Sequence, residues 1–308
     1  MNNQREVYGR TLVELGKSNS RIVVLEADLG KSTMSCYFEK AFPKRYFEMG
    51  IAEQNMTSFG AGLSLTGKIV FLNTFAVFAS GRAFDQIRQG IAIGRLNVKI
   101  VGSSAGLSDF GDGATHQSVE DLAIMRAIPN MTVLAPMDAD ETKAMTEWAA
   151  AYDGPVYLRL NRNDMPDYFP AGKKFEVGQP QLVREGRDAV VFANGLMVSR
   201  AMAAADALAA RGVSLRVVNV SSLKPLDEAA VRQLALGMRA IVTAEEHNII
   251  GGVGDAVNHC LRGSGIALEM IGMTDVFGQS AHSYEELLNY YGLTSKNIVE
   301  KVAKLLSK

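Results

Sequence analysis

The stretch EQNMTSFGAGLSLTGKIVFL, residues 53–72, decides the fold. Its first part, Glu53–Leu65, is apolar and glycine-rich at a length typical of a helix, and it predicts one. Its second part, Ile69–Leu72, is a short apolar run that favours a buried strand. A helix leading directly into a buried strand is the repeating unit of a parallel α/β sheet.

The same alternation extends in both directions from this stretch through the first half of the chain. Ser118 to Asp121 resembles a capping box, and Asp138 and Asp140 stand where the next helix should begin. We therefore expect an α/β fold whose parallel sheet is covered by helices on both faces. Strands are predicted at Ile22–Leu25, Ile69–Leu72, Val98–Val101, Met131–Leu134 and Val156–Leu160, and helices at Glu53–Leu65, Gly81–Ile93, Ser118–Ala127 and Asp140–Ala151.

The stretch Asn161–Pro180 interrupts this rhythm, because it is rich in proline and glycine and carries mixed charge, which is typical of a linker. The alternation then resumes, and Ser283 is expected to cap the last helix. We predict a first domain at 1–165, a linker at 166–183 and a second domain at 184–308. Strands are predicted at Ala189–Ala193, Leu215–Val220, Ile241–Ala244 and Leu268–Ile271, and helices at Val198–Arg211, Glu228–Leu236, Val253–Leu261 and Tyr284–Tyr290.

The 308-residue chain carries 32 basic and 33 acidic side chains, a formal net charge of −1. This balance argues against a protein that binds nucleic acid by neutralising many phosphates, and against a polybasic membrane signal. The sequence holds no run of about 18 apolar residues and no apolar region near Met1, so neither a membrane span nor a secretory signal is expected. Cys36 and Cys260 form no metal or disulfide pattern, and we expect a cytoplasmic protein.

Three segments carry residue types suited to chemistry, although each has an ordinary explanation when taken alone. Glu53 begins a predicted helix within GIAEQNM (50–56), where a carboxylate also stabilises the helix dipole. Phe75 and Phe78 stand three residues apart in NTFAVF (73–78), a spacing equally typical of a protein core. His116 lies in the loop segment GDGATHQ (111–117), where a histidine is often merely polar surface.

In this order and spacing, the three segments resemble the pyrimidine-binding domain of the transketolase family of thiamine diphosphate enzymes. The segment after the linker is similar to the family's C-terminal domain. Within it, EEHN (245–248) followed by GGVG (251–254) resembles a motif shared with deoxyxylulose-phosphate synthase and the pyruvate dehydrogenase β chain. The resemblance implies a pyrimidine-binding α/β domain followed by a transketolase C-terminal α/β domain.

The resemblance implies a set of roles around the cofactor. Glu53 matches the family's glutamate that hydrogen-bonds N1′ of the aminopyrimidine, so that the cofactor's own imino group removes the C2 proton. Phe78 matches the ring that stacks on the pyrimidine, and Phe75 matches a second aromatic beside it. Asp28 and Leu29 match positions in a loop on the cofactor side.

The resemblance also implies a set of roles around the substrate. His116 matches the histidine that contacts the reacting oxygens and assists proton transfer. Asp112 matches the aspartate that hydrogen-bonds a sugar hydroxyl. Arg5, Ser32 and Arg162 match positions that hold the sugar phosphate, a sensible composition for such a site.

Three points on the substrate side stay open at this stage. Arg162 equally fits an ion pair with Asp164, and Arg159 competes for its role. Many transketolases carry a histidine where this sequence has Ser104. A shorter, branched or modified sugar therefore remains an alternative substrate. Glu246 and His247 are compatible with a purely structural role as well as with a functional one.

A complete transketolase also needs a domain that holds the diphosphate and Mg²⁺, marked by Gly-Asp-Gly and a later pair of asparagines. Gly111–Gly113 is only a look-alike, because Asn130 stands alone after it. We therefore assign no metal ligand to this chain. Thiamine diphosphate and Mg²⁺ are expected as cofactors, with the metal ligands on an N-terminal partner subunit and an α2β2 assembly as the natural arrangement.

The sequence thus predicts the C-terminal subunit of a split transketolase, which moves a two-carbon ketol unit from a ketose phosphate to an aldose. Two alternatives remain. One is the β chain of a 2-oxo-acid dehydrogenase or a deoxyxylulose-phosphate-synthase-like enzyme. The other is a non-catalytic assembly subunit, against which the joint presence of Glu53, Phe78 and His116 argues.

Overall fold

The computed structural model describes residues 2–307, which form a seven-stranded and a five-stranded sheet, both flanked by helices, and a separate two-stranded sheet of Asn2–Asn3 with Asp164–Met165. The strands are β1 (Asn2–Asn3), β2 (Ile22–Glu26), β3 (Tyr46–Glu48), β4 (Ile69–Phe75), β5 (Val98–Ser103), β6 (Thr132–Leu134), β7 (Val156–Arg159), β8 (Asp164–Met165), β9 (Gln181–Arg184), β10 (Ala189–Ala193), β11 (Leu215–Asn219), β12 (Ser222–Lys224), β13 (Ala240–Asn248) and β14 (Leu268–Met273).

The helices cover the faces of both sheets. They are α1 (Gln4–Ser18), α2 (Gly30–Thr33), α3 (Cys36–Ala41), α4 (Glu53–Leu65), α5 (Phe84–Gln86), α6 (Asp121–Ala127), α7 (Ala139–Ala151), α8 (Leu196–Ala209), α9 (Glu228–Ala235), α10 (Val253–Cys260), α11 (Tyr284–Tyr290) and α12 (Ser295–Leu306). Phe78–Arg82 and Ile87–Ala92 are π-helical, and Pro43–Arg45 and Gly113–Thr115 are 3₁₀ turns.

The first sheet has the strand order β12-β6-β7-β5-β4-β2-β3, and every neighbouring pair in it is parallel except β12–β6. The second sheet has the order β14-β13-β10-β11-β9, and only its edge strand β9 runs antiparallel to its neighbour. Sheets of this kind need helical crossovers, which bury both faces. The predicted α/β fold class is therefore confirmed.

The long apolar strands and most helices lie close to where the sequence predicts them. The helix Glu53–Leu65 has the bounds predicted for it. Asp138 caps α7 by accepting from the N–H of Glu141, and Ser283 caps α11 by accepting from Glu286. Short apolar runs in a parallel sheet are buried on both faces, which is why their pattern is easy to recognise.

Two local predictions are wrong. The predicted helix Gly81–Ile93 is interrupted, because two π-helical segments flank the short helix α5. The predicted capping box at Ser118 does not form, since Ser118 pairs with Gly106 in an antiparallel bridge and its backbone is committed there. Helix α6 starts only at Asp121, and its first residue is preceded by Glu120, which gives no side-chain cap.

Helices α1 and α12 are absent from the sequence prediction. Helix α1 contains two glycines, which lower helix propensity. At Gly9 a Cβ would come within 2.4 Å of the Met34 carbonyl oxygen, so close packing against the following loop demands glycine there. Asn3 starts the helix by accepting from the N–H groups of Arg5 and Glu6.

Strand β12 crosses the proposed domain division. It comes from beyond the linker, yet Ser222 and Lys224 pair with Leu134 and Val133 of β6 at the edge of the first sheet. Lys224 also donates through Nζ to the carbonyl of Arg126, at 2.9 Å. The domain boundaries 1–165, 166–183 and 184–308 remain a proposal. Strand β12 belongs to the second half of the chain by sequence, but it pairs with the sheet of the first half.

Candidate active site

The carboxyl ends of neighbouring parallel strands gather the predicted site residues along one edge of the first sheet. Asp28 and Leu29 follow β2, Phe75 ends β4, and the loop from Ser104 to His116 follows β5. Arg162 comes just after β7. Open α/β sheets bind ligands beyond the carboxyl ends of their strands, so this edge is the expected location of a site.

Glu53 is the first residue of helix α4, and its side chain is only 2% exposed. Both of its carboxylate oxygens accept from Nη1 of Arg82, at 3.1 and 3.0 Å. The guanidinium of Arg82 also lies 4.8 Å from the ring centroid of Phe78. Arg82 was not among the predicted site residues, because nothing in the local sequence marks it as a partner of Glu53.

Three rings form a continuous aromatic surface beside this carboxylate. Phe75 and Phe78 are stacked, with centroids 6.2 Å apart and an angle of 10° between their planes. His116 meets them edge-on, at 6.2 Å from Phe75 and 5.4 Å from Phe78. Phe75 is buried whereas Phe78 is only half-buried, so Phe78 is the ring with surface to offer a ligand.

The His116 ring is oriented by its neighbour in the chain. Its Nδ1 lies 2.9 Å from the hydroxyl of Thr115. Within residues 2–307, Nε2 makes no hydrogen bond with the protein, so that nitrogen is available for a proton transfer. Asp112 is exposed and immediately precedes the 3₁₀ turn that leads into His116.

Glu26 stabilises the loop that carries Asp28, Leu29 and Ser32. The buried Glu26 carboxylate accepts from Thr33 Oγ1 at 2.7 Å and Ser35 Oγ at 2.5 Å. Burial raises the pKa of this carboxyl to about 7. Asp28 itself is exposed, adopts the left-handed region at φ 61°, and donates its N–H to the Glu48 carboxylate.

Arg5 joins the remaining predicted residues. Its Nη1 donates to the carbonyl of Ser32 at 2.7 Å, and its Nη2 donates to the carbonyl of Arg162 at 3.0 Å. The Ser32 hydroxyl is not the group that meets Arg5. Burial, reinforced by the nearby Arg162 cation, lowers the pKa of Arg5 to about 10.

The observed ion pair of Arg162 corrects the alternative in which Asp164 is its partner. Arg162 Nη1 pairs with Asp109 Oδ2 at 2.8 Å, and the Asp164 carboxylate instead accepts from Asn3 Nδ2 at 3.0 Å. Arg159 is buried away from this cluster, in an ion pair with Asp121 at 2.9 Å. Arg159 therefore does not compete for the role of Arg162.

Two buried polar residues lie in the loop after β5. Ser104 adopts the left-handed region at φ 52°, and among the described residues nothing hydrogen-bonds its hydroxyl. Asp109 is buried, and burial raises the pKa of its carboxyl, with the negative charge of Asp112 acting in the same direction. Asp109 was also missed, because nothing in the local sequence marks it as a partner of Arg162.

Glu246 and His247 support the site from the second half of the chain. Glu246 accepts from the N–H of Leu107 at 2.7 Å and from Asn161 Nδ2 at 3.0 Å, which ties it to the loop after β5. Burial raises the pKa of Glu246 to about 7 and lowers that of His247 to about 4. Their observed contacts are structural, within the protein.

Neither a membrane-spanning helix nor a cluster of metal-ligating side chains accompanies this site in the part of the chain that the structure describes. Between residues 2 and 307, no helix is long and apolar enough to cross a membrane. The same residues include no group of three or more His, Cys, Asp or Glu side chains arranged to hold a metal ion.

Comparison with known proteins identifies the family. Residues 2–167 match the transketolase pyrimidine-binding domain, and residues 178–298 match the transketolase C-terminal domain. The chain therefore belongs to the transketolase family, and the resemblance to the C-terminal subunit of a split transketolase is confirmed.

Individual relatives agree with this assignment over nearly their full length. A putative transketolase C-terminal section from Methanocaldococcus jannaschii is 43% identical, over 99% of this chain and 96% of the relative. A 6-deoxy-6-sulfo-D-fructose transketolase subunit from Clostridium sp. is 40% identical, over 96% of this chain and 92% of the relative.

A solved structure agrees as well. A split-gene transketolase described as an inactive β4 tetramer has 46% sequence identity and a TM-score of 0.90, covering 99% of this chain and 98% of its own. These proteins place the chain in a family of group-transferring enzymes.

Proposed function

We propose that this chain is the C-terminal subunit of a thiamine-diphosphate-dependent transketolase. It would transfer a two-carbon ketol unit from a ketose phosphate donor to an aldose acceptor, and only together with a partner subunit. The observation that carries the proposal is the convergence of Glu53, Phe78 and His116 at one sheet edge, with Phe75 stacked behind Phe78. A scaffold without catalysis needs none of these contacts.

The residues at this edge fit the aminopyrimidine of thiamine diphosphate. A flat aromatic heterocycle needs a ring to stack on and a hydrogen-bonding group at its edge. Phe78 offers a half-buried ring, and Glu53 offers a carboxylate that is shielded from water. When bound, thiamine diphosphate supplies a nucleophilic carbon and an electron sink.

Each side chain has a defined task in this proposal. Glu53 hydrogen-bonds N1′ of the pyrimidine and fixes its proton there. Phe78, backed by Phe75, orients the ring and excludes water from its face. Asp28 and Leu29 line the cofactor side of the cleft.

The substrate side chains act on the sugar. His116 moves a proton at a reacting oxygen through its unpaired Nε2, and Asp112 orients a sugar hydroxyl. Arg5, Ser32 and Arg162 hold the charged terminal group. A serine at position 104 leaves this end of the cleft roomier and less basic than a histidine would.

The proposal assigns the diphosphate and Mg²⁺ to a second polypeptide. The split-gene relative is inactive as a β4 tetramer of its own, which supports a need for a different partner. We propose an N-terminal transketolase subunit in an α2β2 complex. The free thiols of Cys36 and Cys260 keep the cytoplasm as the proposed location.

Reconstitution tests the proposal. The chain, its partner and the mixture are each given thiamine diphosphate and Mg²⁺, and ketol transfer from xylulose 5-phosphate to an aldose is measured. We expect activity only in the mixture. Activity of the isolated chain would contradict partner dependence.

The same assay separates the alternatives. Release of carbon dioxide from pyruvate without ketol transfer would favour the 2-oxo-acid dehydrogenase or synthase-like reading. A mixture that binds cofactor but turns over neither substrate would favour the assembly subunit.

A further inference from the structure

We infer that Asp109 makes the terminal-group site formed by Arg5, Ser32 and Arg162 select an oxyanion with a single negative charge. The inference rests on the proposed function only in placing the end of the sugar at this site. The chemical class is a phosphate monoester in its monoanionic form, or a sulfonate.

The first observation is that Asp109 already pairs with the more accessible arginine. Its Oδ2 lies 2.8 Å from Arg162 Nη1, and its side chain is 4% exposed whereas that of Arg162 is 39% exposed. The carboxylate is therefore a fixed part of the site, and an incoming anion approaches a cation that is partly neutralised. Like charges in a desolvated site repel strongly.

The second observation is that two backbone carbonyls hold the Arg5 guanidinium in place beside Arg162. Its two Nη atoms donate to the carbonyls of Ser32 and Arg162, and the residue is 9% exposed. Its Nε is buried and, within the described residues, has no partner. These contacts use two of the five N–H donors of the Arg5 guanidinium and fix its position, so Arg5 brings a held positive charge to the site beside Arg162.

The charge balance follows from these contacts. Two guanidinium groups and one carboxylate leave a net charge of about +1 at the site. A phosphate monoester is largely dianionic at pH 7, because its second pKa is about 6. A sulfonate carries one negative charge at any such pH. A net charge of about +1 matches one negative charge better than two.

An opposing explanation is that Asp109 only orients Arg162 for a dianion. The two explanations predict opposite effects for Asp109→Asn. If Asp109 orients Arg162, the variant binds the phosphate dianion less well. If Asp109 sets the charge, the variant binds it better.

The test uses the complete enzyme with a sugar phosphate and its isosteric sulfonate. The kcat/KM ratio of phosphate to sulfonate is measured from pH 5.5 to 8. We expect the ratio to fall about tenfold or more as the phosphate becomes dianionic. Asp109→Asn should flatten this profile and raise the ratio at pH 7.5 by about tenfold, roughly one charge interaction.

Other titratable groups also face this site. Measuring the ratio of two substrates, rather than one rate, serves as a control for them. Arg162, Asp112 and His116 face Asp109, and Asp164 and Glu6 face Arg5. Both substrates meet the same groups, so any effect of these groups that does not depend on the charge of the substrate cancels in the ratio. Asp164→Asn is the matched control, because it removes one exposed charge near Arg5 that does not pair with Arg162, and it should leave the ratio unchanged.

A second readout separates this inference from the proposed function. All four residues lie on this chain, so inorganic phosphate and methanesulfonate can be titrated into the isolated chain by calorimetry. Asp109→Asn should tighten phosphate at pH 7.5 clearly more than it tightens methanesulfonate, because a dianion loses about twice as much repulsion as a monoanion, even if the complex turns over no sugar. A pH-independent wild-type ratio, or weaker phosphate binding in the variant, would overturn the inference.

Discussion

One nitrogen of Arg82 donates to both carboxylate oxygens of Glu53, at 3.0 and 3.1 Å. The two partners differ in accessibility, since the Arg82 side chain is 49% exposed and that of Glu53 is 2% exposed. Arg82 can therefore rotate into solvent, whereas Glu53 cannot leave the head of its helix. The cation covers the carboxylate that the pyrimidine is proposed to reach.

Replacing Arg82 by methionine should destabilise the isolated chain. It leaves a buried carboxylate without its cation, and we expect the free energy of unfolding to fall by about 1–3 kcal/mol, less than for a fully buried pair. Chemical denaturation measures this change. Arg88→Met is the control, because Arg88 is also exposed but forms no ion pair among the described residues. Equal losses in both variants would contradict the importance of the pair.

Replacing Glu53 by glutamine should reduce ketol transfer by the reconstituted complex by about 10²–10⁴-fold, the range of a positioned acid–base group. Glutamine keeps the shape but cannot hold the proton. Cofactor titration should still show binding, which separates lost chemistry from lost folding. Glu39→Gln on the exposed surface of α3 controls for charge. Unchanged activity of the Glu53 variant would remove this residue from the mechanism.

Replacing Phe78 by leucine should weaken thiamine diphosphate binding by about tenfold, because an aromatic pair contributes about 0.5–1.5 kcal/mol beyond its buried area. The dissociation constant in the presence of Mg²⁺ is the measurement. Phe78→Tyr keeps the ring and should retain most of the affinity. If the leucine and tyrosine variants bind alike, the ring does not stack on the cofactor.

Glu246 should make the stability of the chain depend on pH. Its pKa is raised from 4.5 to about 7 by burial. Between these values the unfolded chain has released the proton that the folded chain keeps, so stability falls as pH rises from 4.5 to 7. The slope from one such group is at most about 1.4 kcal/mol per pH unit.

The difference between wild type and Glu246→Gln isolates this contribution, since Glu26, Glu141 and Glu245 also have pKa values raised to about 7. Denaturation midpoints between pH 5 and 8 should decline less steeply in the variant. Glu39→Gln should follow the wild type. Parallel declines in wild type and the Glu246 variant would show that Glu246 is ionised throughout.

The sequence predicts those parts of this molecule that depend on local pattern. Buried parallel strands such as Ile69–Phe75 leave short apolar runs, and helix α4 is predicted from an apolar, glycine-rich stretch of helical length. The site residues Glu53, Phe78 and His116 were found because their local motifs resemble a known family. Their roles remain proposals, but their proximity is a property of the structure.

Contacts between residues that are far apart in the sequence could not be predicted from local patterns. Arg82 lies 29 residues from Glu53, and Asp109 lies 53 residues before Arg162. No periodicity links such positions. The Ser118 cap failed for the same reason, because a bridge to Gly106 overrides the local preference.

Strand β12 makes the two halves of the chain mutually dependent. A fragment ending before Ser222 would expose the hydrogen-bonding edge of β6, and an exposed edge invites aggregation. A protease cut in the linker, around residues 170–176, should consequently leave two pieces that stay associated and melt in a single transition. We therefore expect the chain to unfold as one cooperative unit, in which damage to the second half also disturbs the cleft of the first.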